Sequence, residues 1–333
     1  MKCIRESIVR MLVVIGLSTL SILAITTVGV SQDYPNRPVI VHTGMAPGAA
    51  AGIIAQIFSE GMEKYVGKSQ QFVVNYRVGA SGMIAMDYFM KQSGDGYNLM
   101  WINPMQVARL ATHPQQYSFK KEDLSYIGTL GSAAYVLAVQ KESPYKTFDD
   151  FIAAAKKNPG QPSYGHPGVA GDTHLYMEWL LSMIGIKLTA VPFTGGAPAV
   201  TALLGGHVTC YMGSTVTLGS HIKPEGRLRV LVSLTAKRLP EFPDVPTCGE
   251  KGYDVGDLGT FQLVAAKKGV PKPIQDILVD GFKKTATDSS VKTSLIKAGF
   301  LALEWGPEET EKKVTREFNI LRDVYKKLGL EVK

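Results

Sequence analysis

At 333 residues, with 45% hydrophobic and 20% charged side chains, the chain is not a disordered one and can bury a sizeable core without disulfide staples. Three cysteines exclude a disulfide framework and a four-thiolate zinc site, and one long apolar run, at the N-terminus, excludes a polytopic membrane protein. The net charge of +7 is modest and dispersed, with solvated lysine pairs such as Lys120-Lys121 and Lys326-Lys327, which argues against nucleic acid as a partner.

Residues 1–31 read as a secretory signal peptide. Lys2, Arg5 and Arg10 precede an uncharged run from Met11 to Val30, and small and polar residues follow at Gly29, Ser31 and Gln32. Cleavage after Gly29 or after Ser31 fits equally and leaves a net charge of +5. The apolar run is also about long enough to span a bilayer as an uncleaved anchor, a reading that cleavage outweighs.

Beyond it, short strands alternate with helices. Val39-Ile40-Val41 reads as a buried strand, followed by a Gly/Pro loop and a helix with Ile54, Ile57, Phe58, Met62 and Tyr65 on one face. Residues 72–76 and 99–102 read as further strands around a Gly79-Ala80-Ser81-Gly82 turn and a short helix over 84–90. The rhythm returns at 135–139, 148–157, 188–191, 199–204, 208–212 and 228–234. A long amphipathic helix carrying Val314, Phe318, Leu321 and Tyr325 closes the chain. The pattern predicts an α/β fold with largely parallel sheets, the chain crossing between any two lobes on strands.

Three strand-to-helix junctions are glycine-rich and poor in charged side chains. The first is Gly44, Met45, Ala46, Pro47, Gly48 and Ala49. The second runs from Gly165 through Gly168, Val169, Ala170 and Gly171 to Asp172 and Thr173, either of which suits the helix N-cap. The third is Phe193, Thr194, Gly195 and Gly196. Glycine admits a ligand close to the backbone, and the first turn of a helix offers free N–H groups to an anion. In open α/β sheets ligands collect at the carboxyl ends of strands. Each charge-assisted hydrogen bond contributes roughly 1.5–3 kcal/mol, so a few would hold a carboxylate at about micromolar affinity.

Signatures of chemistry are mostly missing. Gly67-Lys68-Ser69 lacks the upstream spacing and the preceding strand of a P-loop and reads as a helix C-terminus. No G-x-S-x-G nucleophile elbow occurs, and Gly165, Gly168 and Gly171 do not form G-x-G-x-x-G. His174 and Glu178 lie four apart on a helix without an evident third metal ligand. Cys210 and Cys248 read equally as a disulfide or as two buried thiols, and Asp149 and Asp150 as first-turn dipole partners.

An ordered series of motifs resembles one receptor family. Tyr34-Pro35-Asn36-Arg37-Pro38, Gly79-Ala80-Ser81-Gly82, Asp95-Gly96-Tyr97, Tyr164-Gly165-His166-Pro167-Gly168 with His174, the third junction, Leu204-Gly205-Gly206-His207-Val208, Arg238, and Pro243-Asp244-Val245-Pro246-Thr247 with Glu250 and Gly252 occur in sequence. Over essentially the whole mature chain this is similar to the substrate-binding receptors of tripartite tricarboxylate transporters, the Bug or TctC-like family.

The resemblance implies a periplasmic, two-lobed Venus-flytrap receptor, lobe 1 being 34–133 plus 255–333 and lobe 2 being 134–254. It implies a monomer without cofactor or metal that closes on a small organic carboxylate and delivers it to membrane permease subunits. Met45, Ala46, Pro47, Gly48, Ala49 and Asn103 would grip from one lobe. Gly168, Val169, Ala170, Gly171, Asp172, Thr173, Phe193, Gly195, Gly196 and Ser214 would grip from the other. The chain departs from the family's P-F-x-x-G-G-x-x-D loop at Met45, Ala49 and Gly52, at Val78 for a usual proline, and from its Gly-Gly-His-Val-Asp motif at Thr209, which suggests a bulkier or less polar acid. Two other readings are an exported hydrolase built on His174, Asp172 and Thr173 or Ser214, and a sensory partner of a signalling receptor.

Overall fold

The computed structural model describes residues 34–47 and 50–330, so the expected signal segment, Gly48 and Ala49 lie outside the described residues. Strand β1 (Val39–Thr43) leads through the first junction into α1 (Ala50–Tyr65). β2 (Phe72–Tyr76), α2 (Met83–Met90), β3 (Asn98–Ile102) and α3 (Pro104–Thr112) follow. β1 lies between β2 and β3, parallel to both.

The long strand β4 (Leu124–Gln140) then leaves this sheet for a second one. There α4 (Phe148–Lys157), β5 (Ser163–His166), α5 (Asp172–Ile184), β6 (Thr189–Pro192), α6 (Gly196–Leu204), β7 (Cys210–Ser214), α7 (Thr215–Leu218) and β8 (Leu228–Ser233) are laid down. β9 (Gly259–Lys267) returns the chain to the first sheet, followed by α8 (Lys272–Thr287), α9 (Ser289–Lys297), β10 (Leu301–Trp305) and α10 (Pro307–Lys327).

The expectation of largely parallel sheets needs correction. Only β1 with β2 and β3, and β5 with β6 and β7, pair in parallel. β4 is antiparallel to β7, β8, β9 and β10, and β9 is antiparallel to β3. The cause is the crossing itself: β4 carries the chain out and β9 carries it back, so the returning strand opposes the outgoing one. At 17 residues β4 is about 55 Å long, enough to serve both sheets. Its second half, Tyr135–Val139 in the ladder with β7, is buried at every position, as expected for a strand covered on both faces.

Packing follows the sequence pattern. Ile54, Phe58 and Met62 of α1 are fully buried, with the Phe58 ring 5.3 Å from Trp101 and 6.4 Å from Phe282. Gly128 on β4 is required there, because a Cβ would stand 2.2 Å from the Phe282 ring. A second core joins the two sheets: Tyr135, Leu175, Tyr176, Phe261, Val314 and Leu321 belong to one buried cluster, so α10 lies against β4, α3 and α5 together. Cys210 and Cys248 are both buried free thiols, which settles the open pairing; burial pushes the Cys248 thiol up to about 12.

Strand register positions the junctions. Thr43 pairs with Trp101 and Tyr76, and Ile102 sits level with Leu263, itself paired to Thr129 of β4. In the second sheet Ser214, the carboxyl end of β7, pairs with Tyr135 of β4. The carboxyl edges of the two sheets therefore face each other along β4, from Thr129 to Tyr135, a gap of about 20 Å.

Candidate functional site

In the first sheet the junction is built on backbone contact. Thr43 Oγ1 accepts the Met45 N–H at 3.3 Å. A Cβ on Gly44 would stand 2.2 Å from Gly82 Cα, so this loop and the Gly79–Gly82 turn touch main chain to main chain. Gly82 takes φ 86, and Gln106 fills the space its side chain would need. Gln106 belongs to the capping box of α3: Asn103 Oδ1 accepts the Met105 N–H and Gln106 Oε1 accepts the Asn103 N–H, both at 2.9 Å. Gln106 is fully buried and its Nε2 has no partner. Met45 is half-buried, while Ala46 and Pro47 are exposed. Gly52, where the family pattern carries Asp, packs under this loop: a Cβ would lie 2.8 Å from the Ala46 carbonyl oxygen.

The second junction is held by two stacked imidazoles. The His166 and His174 rings lie 4.2 Å apart. His174 Nδ1 accepts the Ala170 N–H at 3.0 Å and His166 Nδ1 meets the Gly168 carbonyl at 2.9 Å, which fixes Ala170 at φ 55. Accepting at Nδ1 keeps His174 neutral, and burial, helped by His166, lowers its pKa to about 4.

The N-cap of α5 is Gly171, a correction to the expectation of Asp172 or Thr173. Asp172 is instead the first helical residue, and its buried carboxyl accepts the Tyr135 hydroxyl from β4. The tighter loop, pinned by Ala170 on His174, brings Gly171 to the boundary and turns Asp172 inward. Burial pushes the Asp172 carboxyl up, opposed by Tyr135 and the N–H groups of Thr173 and Asp172. Thr173 Oγ1 is buried without a partner. One turn on, Tyr176 donates to Glu317 Oε2 of α10, and Lys313 Nζ lies 2.5 Å from Glu317 Oε1. Burial, then the charge of Asp172, drives Glu317 up to about 8, and burial drives Lys313 down to about 8.

The third junction joins the second. The Phe193 N–H donates to the His166 carbonyl at 2.9 Å, and the Phe193 ring covers Gly165. Gly195 caps α6, and a Cβ on Gly196 would meet Thr217 at 2.8 Å and the Tyr211 hydroxyl at 3.2 Å. Ser214 Oγ accepts the Thr217 N–H at 3.1 Å. The structure thus gathers Ala170, Gly171, Asp172, Thr173, Phe193, Gly195, Gly196 and Ser214 on one carboxyl edge, with Val169 exposed at the loop tip and Gly168 half-buried beside it. Met45, Ala46, Pro47 and Asn103 stand on the edge opposite, and α3 touches α5 between them. A cavity of about 800 Å³ also lies between the halves, but Ala134, Thr215, Thr260, Ile296, Leu301 and Lys313 are among its lining and none of the residues expected at the site is.

In the hydrolase grouping only Thr173 Oγ1 lacks a hydrogen-bond partner. His174 Nδ1 is used by the Ala170 N–H, Asp172 by Tyr135, and Ser214 by Thr217. Among the described residues no three His, Cys, Asp or Glu side chains converge as metal ligands, and no helix is long and apolar enough to cross a membrane. Gln106, Tyr135, Tyr176 and Glu317 escaped the sequence reading. The Asn103-x-x-Gln106 spacing of a capping box signals the first; the others meet only through the fold.

The sequence model of the tripartite tricarboxylate transporter family receptor matches residues 54–330. A UPF0065 protein from the gbd 5′ region of Cupriavidus necator is 32% identical, the match covering 88% of each chain. A solved structure described as a periplasmic transporter superposes with a TM-score of 0.79 at 27% identity, over 90% of this chain and 100% of its own. An R. palustris protein solved with adipate gives 0.77 at 25% identity, over 89% and 99%. The chain belongs to the receptor family of the tripartite tricarboxylate transporters, with their two-lobed α/β fold.

Proposed function

We propose that this protein is an extracytoplasmic receptor that captures a small organic carboxylate between residues 34–133 with 255–333 on one side and 134–254 on the other. It passes the acid to a tripartite-type permease and carries out no chemistry on it. The observation that carries this reading is the pair of opposed carboxyl edges, each with a glycine junction entering a helix and each with a buried side-chain atom lacking a partner, Gln106 Nε2 and Thr173 Oγ1. Buried polar atoms are nearly always satisfied in native proteins, so two unpartnered ones beside the junctions support a bound polar group there. The related R. palustris protein with adipate supports a carboxylate as that group.

Residues 1–31 act in this reading as the export signal. Because neither edge alone surrounds a ligand, binding favours the closed arrangement by its differential contacts. A thermal-shift screen of organic acids on the mature protein tests it: a ligand at about 100 times its Kd adds roughly 2.7 kcal/mol. One-to-one stabilisation with the acid recovered unchanged is the expected result. Turnover of an ester or amide, or no response to any acid, would overturn the reading.

A further inference from the structure

The cavity of about 800 Å³ that none of the expected site residues lines has the size of a small-molecule pocket. Residues 132–134 of β4 and 259–261 of β9, the two strands that carry the chain between the sheets, contribute to its lining. The half made of 34–133 and 255–333 adds Ile296, Leu301 and Trp305, and the other half adds Leu239 and Pro240 from the loop after β8. Ile296 is 65% exposed and Leu301 66%, more than any other large hydrophobic side chain among the described residues. Exposed apolar side chains scattered singly are ordinary, but two that line one cavity form a surface that gains by being covered.

The charges around this cavity cancel. Two cations, Lys237 and Lys313, and two acids, Glu241 and Asp257, are in its lining. Lys313 is engaged by its own chain: Nζ donates to Glu317 Oε1 at 2.5 Å and to the Asp257 carbonyl at 3.2 Å. Asp257 Oδ1 accepts the Ala236 N–H at 3.4 Å. Lys237 and Glu241 are exposed on one loop, where water and salt screen them. The sum offers neither an anion nor a cation a net opposite charge, so the lining selects for apolar surface and against a charged head that would lose its hydration.

We propose that this cavity is a second binding site, separate from the carboxylate site, and that it takes an uncharged apolar or aromatic molecule held against both halves. Apolar area removed from water supplies the affinity. The site goes beyond the receptor reading and does not depend on it.

Fluorescence titration of the mature protein with N-phenyl-1-naphthylamine, an uncharged aromatic probe, and with 8-anilinonaphthalene-1-sulfonate, the same rings carrying a sulfonate, tests it. The neutral probe is expected to saturate at one per chain and to bind at least as tightly as the sulfonate. Leu301→Glu and Ile296→Glu, both at exposed positions, are each expected to weaken it about tenfold or more, with the unfolding midpoint and the thermal response to organic acids unchanged. No saturable binding, a preference for the sulfonate of about tenfold or more, competitive displacement by an organic acid, or an affinity unmoved by both variants would overturn the assignment. Probe binding that meets these expectations while no organic acid binds would uphold this site and overturn the receptor reading instead.

Discussion

Tyr135, on the strand that crosses between the two sheets, donates its hydroxyl hydrogen to Asp172 at the start of α5, and both side chains are buried. The bond ties the crossing to the second junction. Tyr135→Phe removes the donor and leaves the carboxyl without its side-chain partner, at a cost of about 1–3 kcal/mol in urea unfolding. Because burial already raises the Asp172 pKa, the folded state favours the protonated form, and stability is lost as pH rises through the folded value. The deficit of Tyr135→Phe is therefore expected to widen from acid to neutral pH; a constant deficit would argue against an ionising Asp172.

Glu317 gives a second pH signature. Its folded pKa of about 8 exceeds the ordinary 4.5, so stability is full below 4.5 and declines as pH rises toward 8. Lys313, held down to about 8 from 10.5, acts in the opposite sense, with stability recovering between 8 and 10.5. Chemical unfolding across pH is expected to show a minimum near 8. Glu317→Gln, which keeps an acceptor for the Tyr176 hydroxyl, is expected to flatten the falling limb by a few kcal/mol.

His174 works on the acid side. Its pKa is lowered to about 4 from 6.5, so its contribution is complete above 6.5 and is lost as pH falls toward 4, about 3 kcal/mol at most. His174→Asn places an amide oxygen near the Nδ1 position, retains a partner for the Ala170 N–H and removes the titration. The variant is expected to match the wild type near pH 7 within about 1 kcal/mol and to lose less stability by pH 5. Equal acid slopes in the two proteins would assign that limb to another group.

Gly44→Ala tests the first junction. The added methyl would stand 2.2 Å from the Gly82 main chain, which cannot swing aside as a side chain can. A loss of about 1–3 kcal/mol in stability is expected together with at least tenfold weaker acid binding. Gly160→Ala, at φ 77 with open space around it, is the matched control and should cost only the local backbone strain, about 1 kcal/mol, with binding intact.

Local signals made much of this legible. Glycine and proline punctuation marked the junctions, and Asp150, read as a first-turn dipole partner of the helix over 148–157, also closes a capping box with Thr147. The motif Arg238 with Glu250 is structural: the guanidinium Nε lies 3.0 Å from both carboxylate oxygens, and Glu250 accepts the Thr247 N–H. Long-range pairing stayed hidden. Only 135–139 of β4 stood out, because Ser125, Gly128, Gly131 and Ser132 break the apolar pattern of its first half while β9 and β10 flank it there. The bond between Tyr135 and Asp172 joins positions 37 apart in sequence, and that between Tyr176 and Glu317 positions 141 apart, which periodicity cannot connect.

Amide hydrogen exchange on the mature protein, with and without a saturating organic acid, tests most directly whether main-chain groups of both sheets hold one ligand. Slowed exchange is expected together at Met45 and the start of α1, at residues 168–173, and at Gly195 and Gly196. Protection confined to one edge, or placed instead around Ile296 and Leu301 in the other cavity, would contradict it.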